Sequence, residues 1–274
     1  MSDEQNLTLA AHTVLHTKHA RLKAQISHNL YHAFHEEFVG PVYQNIHIER
    51  PGRPQKPELL HPKDMPRRTA GHSIQNRISL LHALAHIELN AIDLAWDMIA
   101  RFGIYQETRM PDDFFADWLQ IAYEESKHFL MLDDRLREMG AHYGALPAHD
   151  GLWESALDTA HDFAARLAIV PMVLEARGLD VTPTMIKGMK RNGDEVSASL
   201  LQIIHDEEIH HVKNGKKWFD WVAQKQGKKD PDLYWQSLVD QYFKGTLKPP
   251  FNIPSRDKAN FPRDWYEPIA LNKK

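Results

Sequence analysis

The chain has 274 residues, 42% of them hydrophobic and 26% charged, with a formal net charge of −4 and no cysteine. The absence of cysteine excludes disulfides, thiolate metal ligands, cysteine-held iron–sulfur clusters and a cysteine nucleophile. No apolar run approaches the roughly 18 residues of a membrane-spanning helix, and the acidic N-terminus lacks the layout of a signal peptide. We therefore expect a cytoplasmic globular protein without membrane contact.

The N-terminal region falls into two parts. Residues 6–38 contain neither glycine nor proline and predict one or two helices. Residues 39–72 carry six prolines, a density that excludes a helix interior or a central strand. We interpret residues 1–72 as a helical extension followed by an extended arm, both packed on the main body.

Four long helical segments follow, at residues 77–102, 114–139, 152–177 and 195–227, each followed or ended by a glycine. No strand alternation of any length is visible. The pattern predicts an all-α protein with a four-helix bundle over residues 73–227. Residues 228–274 are expected to form a short helix near 231–244 and then an extended, proline-containing tail.

Glu-x-x-His pairs stand out within these helices. About one such pair is expected by chance for 16 glutamates and 18 histidines in this length, and the chain has four. Glu58/His61 lies in the proline-rich arm and is set aside. Glu125/His128 lies on an apolar stripe with Trp118, Ile121, Phe129 and Leu132, whereas Glu124 lies on a stripe that we expect to be solvated.

The sequence HDEEIHHV at residues 205–212 contains two overlapping pairs, Glu207/His210 and Glu208/His211. Glu208 and His211 share a helical stripe with apolar residues, and the stripe of Glu207 and His210 is mixed. We therefore predict that Glu208 and His211 face the core.

The other two long helices each add one glutamate on an apolar face, Glu88 and Glu175. Buried carboxylates are costly unless they are paired or bind a metal. The predicted metal ligands are Glu88, Glu125, His128, Glu175, Glu208 and His211. Their order, Glu then Glu-x-x-His, twice over, is that of the di-metal carboxylate site of ferritin-like bundles, and four carboxylates balance two divalent cations. The alternative is that these groups are helix-surface charges or members of buried ion pairs.

Several stretches resemble one family: HALAHIELNAIDLA, EESKHF, PAHDGLWE, VPMVLEARGLDVTP and HVKNGKKWF. They are similar to an uncharacterised bacterial group of ferritin-like proteins, known as domain of unknown function 455, over residues 60 to 270. The resemblance implies an all-α ferritin-like bundle with a dinuclear metal centre, usually of iron, at the six positions named above. The group has a small residue where this chain has His210. The resemblance implies no substrate.

The function that we expect is a non-haem di-iron oxidoreductase that activates O₂ to oxidise or hydroxylate a small-molecule substrate. Three alternatives stay open: a dimanganese or di-iron peroxidase or catalase, a tRNA-modifying hydroxylase that binds RNA through the basic stretches, and a non-enzymatic metal-binding protein. Manganese, a mixed Mn/Fe pair or zinc could replace iron. The electron donor and any homo-oligomer are not specified by the sequence. Pro171, four residues before Glu175, predicts a kink or a break in that helix.

Overall fold

A computed structural model describes residues 7–36, 44–66 and 73–271. These residues are mostly helical, with one very short pair of strands, which confirms the all-α prediction. The chain divides into two compact units, Met1–Trp153 and Glu154–Lys274. The predicted boundaries at residues 72 and 227 stay predictions.

The first unit is built on two long helices. They are α3 (Ile74–Phe102), whose N-cap Ser73 accepts a hydrogen bond from the Asn76 backbone N–H at 3.2 Å, and α4 (Asp112–Glu138). The connection between them is short, so α4 turns back and packs along α3. The N-terminal region forms α1 (Leu7–His16), which packs on α3, and α2 (Ala20–Glu36), which packs on α4.

A small hairpin joins α3 to α4 and was not predicted. Its strands, β1 (Ile104–Tyr105) and β2 (Thr108–Arg109), are antiparallel, and the turn residues Gln106 and Glu107 have φ of 48° and 62°. Two successive positive φ values are typical of a type I′ hairpin turn. Two-residue strands are too short to show the alternation of apolar and polar residues by which a sequence indicates a strand.

The proline-rich arm lies along α3 and is extended, apart from a single 3₁₀ turn at Pro62–Asp64. The Ile46 backbone N–H donates to the Ala100 carbonyl at 2.7 Å, and Arg101 Nη2 donates to the Ile48 carbonyl at 2.8 Å. Within residues 44–66 the arm is thus bonded to the C-terminal part of α3. Residues 39–43 and 67–72 lie outside the described residues.

The second unit contains the third predicted helix, which is divided into segments. These are α5 (Gly151–Asp158), which begins in the first unit, α6 (Phe163–Ile169), a π-helical turn (Val170–Glu175) and α7 (Ala176–Arg191). The kink or break expected at Pro171 is present as a π-helical turn, and a second break near residue 160 was not predicted. The break before α6 arises because Asp162 acts as an N-cap and accepts from the Ala165 backbone N–H at 3.0 Å. The predicted end at Gly178 was wrong, since α7 continues through it and through Pro183.

The fourth predicted helix is α8 (Glu195–Lys225), followed by α9 (Pro231–Tyr242). The prediction of an extended tail was wrong in part, because the tail contains α10 (Ile253–Lys258) and α11 (Arg263–Leu271). Arg256 anchors the tail: its Nε and Nη2 atoms donate to Asp180 at 2.9 and 2.8 Å, and its guanidinium lies over the rings of Phe251 and Tyr266. Such planar, two-pronged contacts are specific to arginine and depend on the fold, so the sequence pattern did not reveal them.

One described helix, α3, is long and apolar enough to span a membrane by length and composition. However, 67% of its most apolar window is buried inside the protein. This is the burial expected for the core helix of a soluble protein. The cytoplasmic location stays a prediction.

Candidate metal centre

The first unit brings three of the predicted ligands together. Glu88 on α3 and Glu125 and His128 on α4 are all buried, and Glu125 and His128 have no exposed surface. The helical phase causes this, because all three lie on the apolar stripes along which α3 and α4 pack.

The three side chains are close enough to share one ion. Each of the three, Glu88, Glu125 and His128, has one ligand atom that lies within 4.8 Å of a ligand atom of the other two. The Nδ1 atom of His128 lies 3.2 Å from Oε2 of Glu88 and 3.6 Å from Oε2 of Glu125. Two carboxylates and an imidazole are donors that iron, manganese and zinc accept.

The electrostatics of this cluster favour a cation. Burial, and next the neighbouring carboxylate of Glu125, raise the pKa of Glu88 well above its usual value, and the hydrogen bond with His128 acts in the opposite direction. Two adjacent buried carboxylates repel each other when both are ionised. A divalent cation would remove this repulsion, so the residues present fit a metal ion.

A buried polar network flanks the cluster on α3, and the sequence did not predict it. The side-chain amide of Asn90 lies between His86 and Arg53. Its Nδ2 atom lies 3.2 Å from His86 Nε2, and its Oδ1 atom accepts a hydrogen bond from Arg53 Nη2 at 2.7 Å. Arg53 pairs with Asp93 at 3.0 Å, and Asp93 also pairs with the buried Lys23. Burial, and then the charge of Arg53, lower the pKa of His86 to about 3, so this imidazole is neutral at physiological pH.

No sequence signal could have identified these partners as a set. His86 and Asn90 are one helical turn apart, which is a local signal, but Arg53 comes from the arm and Lys23 from α2. His86 also contacts Tyr143 Oη through Nδ1 at 2.8 Å.

The second unit contains the other three predicted ligands. On α8, Nδ1 of His211 lies 3.6 Å from Oε1 of Glu208. His211 is fully buried, and the Glu208 side chain is 13% exposed. Glu175 is the last residue of the π-helical turn and is partly buried.

Burial separates the two histidines of HDEEIHHV more clearly than the two glutamates. His211 is buried and His210 is exposed, as the stripe predicts, but Glu207 and Glu208 are both partly buried. In the part of the chain that the structure describes, Oε2 of Glu208 is a buried oxygen without a hydrogen-bond donor. An acceptor of this kind fits a cation.

Two further residues near the predicted ligands, Glu124 and His205, are also buried. Glu124 was predicted to be solvated, and this was wrong: it is buried and accepts from Gln120 Nε2 at 2.7 Å, because α2 covers this face of α4. His205, one turn before Glu208, is buried and contacts Ser255 Oγ through Nε2 at 3.2 Å. Sequence pattern could not detect either covering element, since α2, which covers Glu124, and Ser255, which contacts His205, are both distant in the chain.

Comparison with known proteins gives a family and one curated relative. The model of a family described as "Protein of unknown function (DUF455)" matches residues 16–267. An "Uncharacterized protein" of Haemophilus influenzae (strain ATCC 51907 / DSM 11121 / KW20 / Rd) is 39% identical over 221 residues, which cover 77% of this chain and 75% of that protein. No solved structure matches the chain.

Proposed function

The chain belongs to the family described as protein of unknown function DUF455, and from this premise we propose that it is a ferritin-like di-metal carboxylate oxidoreductase. Iron is the proposed metal, and O₂ and a small organic molecule are the proposed substrates. The family description states no activity, so the proposal depends on the residues of this chain.

The observation that carries the proposal is the buried cluster of Glu88, Glu125 and His128. Its ligand atoms lie within 4.8 Å of one another, and burial together with the charge of Glu125 raises the pKa of Glu88. Two buried carboxylates held this close together repel each other when both are ionised, and a divalent cation would stabilise both in that form. The chemistry of this donor set therefore favours a metal.

The second half of the ligand set is proposed from the sequence pattern. Glu175 and the Glu208/His211 pair repeat the order of Glu88 and the Glu125/His128 pair. Each set supplies three protein ligands, and six protein ligands are the number found in a dinuclear carboxylate centre. We therefore propose that all six hold two metal ions.

The ferritin-like architecture is proposed on the same basis. Four helical segments would each contribute to the ligand set: α3, α4, the α6–π–α7 segment and α8. In ferritin-like bundles, two of the four helices each contribute one carboxylate, and the other two each contribute a Glu-x-x-His motif.

The residues of the chain would divide the chemical work between them. When bound, an iron pair supplies electron transfer and open positions for O₂. The four carboxylates offset the cation charge, and His128 and His211 add neutral nitrogen donors. The apolar residues that bury Glu125 and His128 keep bulk water away, and the hydrogen bond between His128 and Glu88 orients both side chains before metal binds.

A single-turnover experiment tests this proposal. Protein loaded anaerobically with Fe(II) is mixed with O₂, and oxygen uptake is followed with an electrode. We expect uptake on the order of one O₂ per two irons, lost in Glu125→Gln. Iron-loaded protein that takes up no O₂, or manganese-loaded protein that instead decomposes H₂O₂, would overturn the oxidase assignment.

A further inference from the structure

A glycine in the middle of α8 lies directly against a proline of the π-helical turn. A Cβ atom built on Gly215 would lie 2.4 Å from Cβ and 2.5 Å from Cγ of Pro171. Real Cβ atoms do not approach other carbons so closely. The two segments can therefore make this contact only because residue 215 has no side chain.

The position of Gly215 relates this contact to the candidate ligands. Gly215 follows His211 by one helical turn and Glu208 by two, so all three lie on the same face of α8. Pro171 is the second residue of the π-helical turn, and Glu175 is the last. The contact thus joins the helix that carries one pair of candidate ligands to the turn that carries a third.

Glycine and proline each lower the stability of a helix interior. Their occurrence together at this contact indicates that it serves a function other than helix stability. Glycine in a helix interior is less favourable than alanine, and proline there removes a backbone hydrogen bond. The close approach distinguishes Gly215 from the helical glycines Gly178 and Gly188 of α7, where a built Cβ would have no neighbouring atom within 4 Å.

The π-helical turn has a further support on the side of α9. The Trp235 indole N–H donates to the Ala168 carbonyl at 3.3 Å, just before the turn. Single π turns inside α-helices are frequent at functional sites, where they change the direction of a side chain. The turn is thus contacted on one side by α9, through Trp235, and on another by α8, at Gly215.

We propose that Gly215 and Pro171 are positioning residues that set how closely the turn carrying Glu175 approaches Glu208 and His211, so that the three can ligate one metal ion. This inference rests on the proposed function. It adds that the glycine is required for metal binding and not for folding of the helix.

The test is the metal content and metal affinity of Gly215→Ala, with Gly188→Ala as the matched control. Apoprotein is reconstituted with Co(II), bound metal per chain is measured by elemental analysis, and the visible Co(II) absorption reports the ligand field. We expect the more weakly bound of the two Co(II) ions to bind Gly215→Ala at least about tenfold less tightly than the wild-type protein. This is the usual effect of displacing a residue that supports a metal ligand. Gly188→Ala should match the wild-type protein in both measurements.

A second pair of variants covers the case in which Gly215→Ala folds poorly. Alanine is a good helix former, so Pro171→Ala should leave the segment helical and the far-UV circular dichroism unchanged. Because it removes the ring that touches α8, it should also weaken Co(II) binding. Pro171→Gly combined with Gly215→Ala removes both clashing ring atoms and should bind more metal than Gly215→Ala alone.

The outcomes separate this inference from the proposed function. If the wild-type protein binds about two ions and Gly215→Ala binds them equally well, the positioning role is wrong and the metal centre stands. If both glycine variants lose metal alike, the effect is not specific to the Pro171 contact and the inference is overturned. If the wild-type protein binds no stoichiometric metal, the proposed function fails and this inference fails with it.

Discussion

Nδ1 of His128 lies 3.2 Å from Oε2 of Glu88, joining α4 to α3 within the buried interior of the first unit. The same imidazole lies 3.6 Å from Glu125. One histidine therefore faces two carboxylates that are themselves close enough to repel. This arrangement is stable when a cation or a proton neutralises one of the charges, and the predictions below separate these two cases.

Replacement of Glu125 by glutamine should remove metal without unfolding the protein. The amide has nearly the same shape but lacks the negative charge, so bound metal should fall by about one ion per chain or more. The neighbouring Glu124→Gln is the matched control, since Glu124 is also buried but bonds to Gln120. Elemental analysis of both variants checks the prediction; equal metal loss in both would contradict it.

The register of the doubled motif on α8 can be tested with adjacent histidines. His211 is buried and lies beside Glu208, whereas His210 is exposed. We expect His211→Ala to lose metal and His210→Ala to keep it, as measured by Co(II) titration. Loss of metal in His210→Ala alone would show that Glu207 and His210 are the ligand pair.

The stability of the metal-free protein should depend on pH through Glu88. Burial and the Glu125 charge raise its pKa in the folded state, so the folded state holds the proton more tightly than the unfolded chain does. Its favourable contribution is present below the unfolded pKa, about 4.3, and is lost as the pH rises through the raised value. The free energy of unfolding of the wild-type apoprotein should therefore fall relative to that of Glu88→Gln as the pH rises above about 4.3.

Bound metal should abolish this pH dependence, because it favours the ionised carboxylate. Urea unfolding at several pH values, with and without Co(II), measures both effects. A difference between wild type and Glu88→Gln that does not change with pH in the apoprotein would contradict the assigned electrostatics.

The buried pair of Lys23 and Asp93 should contribute strongly to the stability of the first unit. Lys23 also donates to the Gly52 carbonyl at 2.9 Å, so Lys23→Met leaves two acceptors without this donor. We expect a loss of about 3 kcal/mol in the free energy of unfolding, the lower end for a broken buried pair because Arg53 still pairs with Asp93.

The control for this prediction is the more exposed pair of Arg50 and Asp150 in the same unit. The Arg50 side chain is 57% exposed, so Arg50→Met should cost less than about 1 kcal/mol. Chemical denaturation followed by circular dichroism measures both variants. Equal losses would show that burial does not determine the strength of the Lys23 pair.

Helical periodicity predicted the main parts of the first unit correctly. It placed α3 and α4 within three residues of their observed ends and put Glu88, Glu125 and His128 on buried faces. These predictions succeed because the apolar stripe of a long helix is a local property of the sequence.

Several errors arose where distant segments decide the structure. Glu124 is buried because α2 covers it, and the network of Lys23, Arg53 and Asp93 joins three segments far apart in the chain. In the second unit, the Asn252 side chain donates to the Leu179 carbonyl at 3.0 Å. Pro183 cannot donate the helical hydrogen bond to that carbonyl, and this tertiary contact explains why α7 continues past the proline.

The most direct test of the metal centre is the amount of metal that the purified wild-type protein binds. Apoprotein is reconstituted anaerobically with Fe(II), freed of loosely bound ions by gel filtration and analysed for iron and protein. We expect about two irons per chain, reduced in Glu125→Gln and in His211→Ala. A wild-type protein that retains no stoichiometric iron, manganese or zinc after this treatment would contradict the proposal that the buried glutamates and histidines form a metal site.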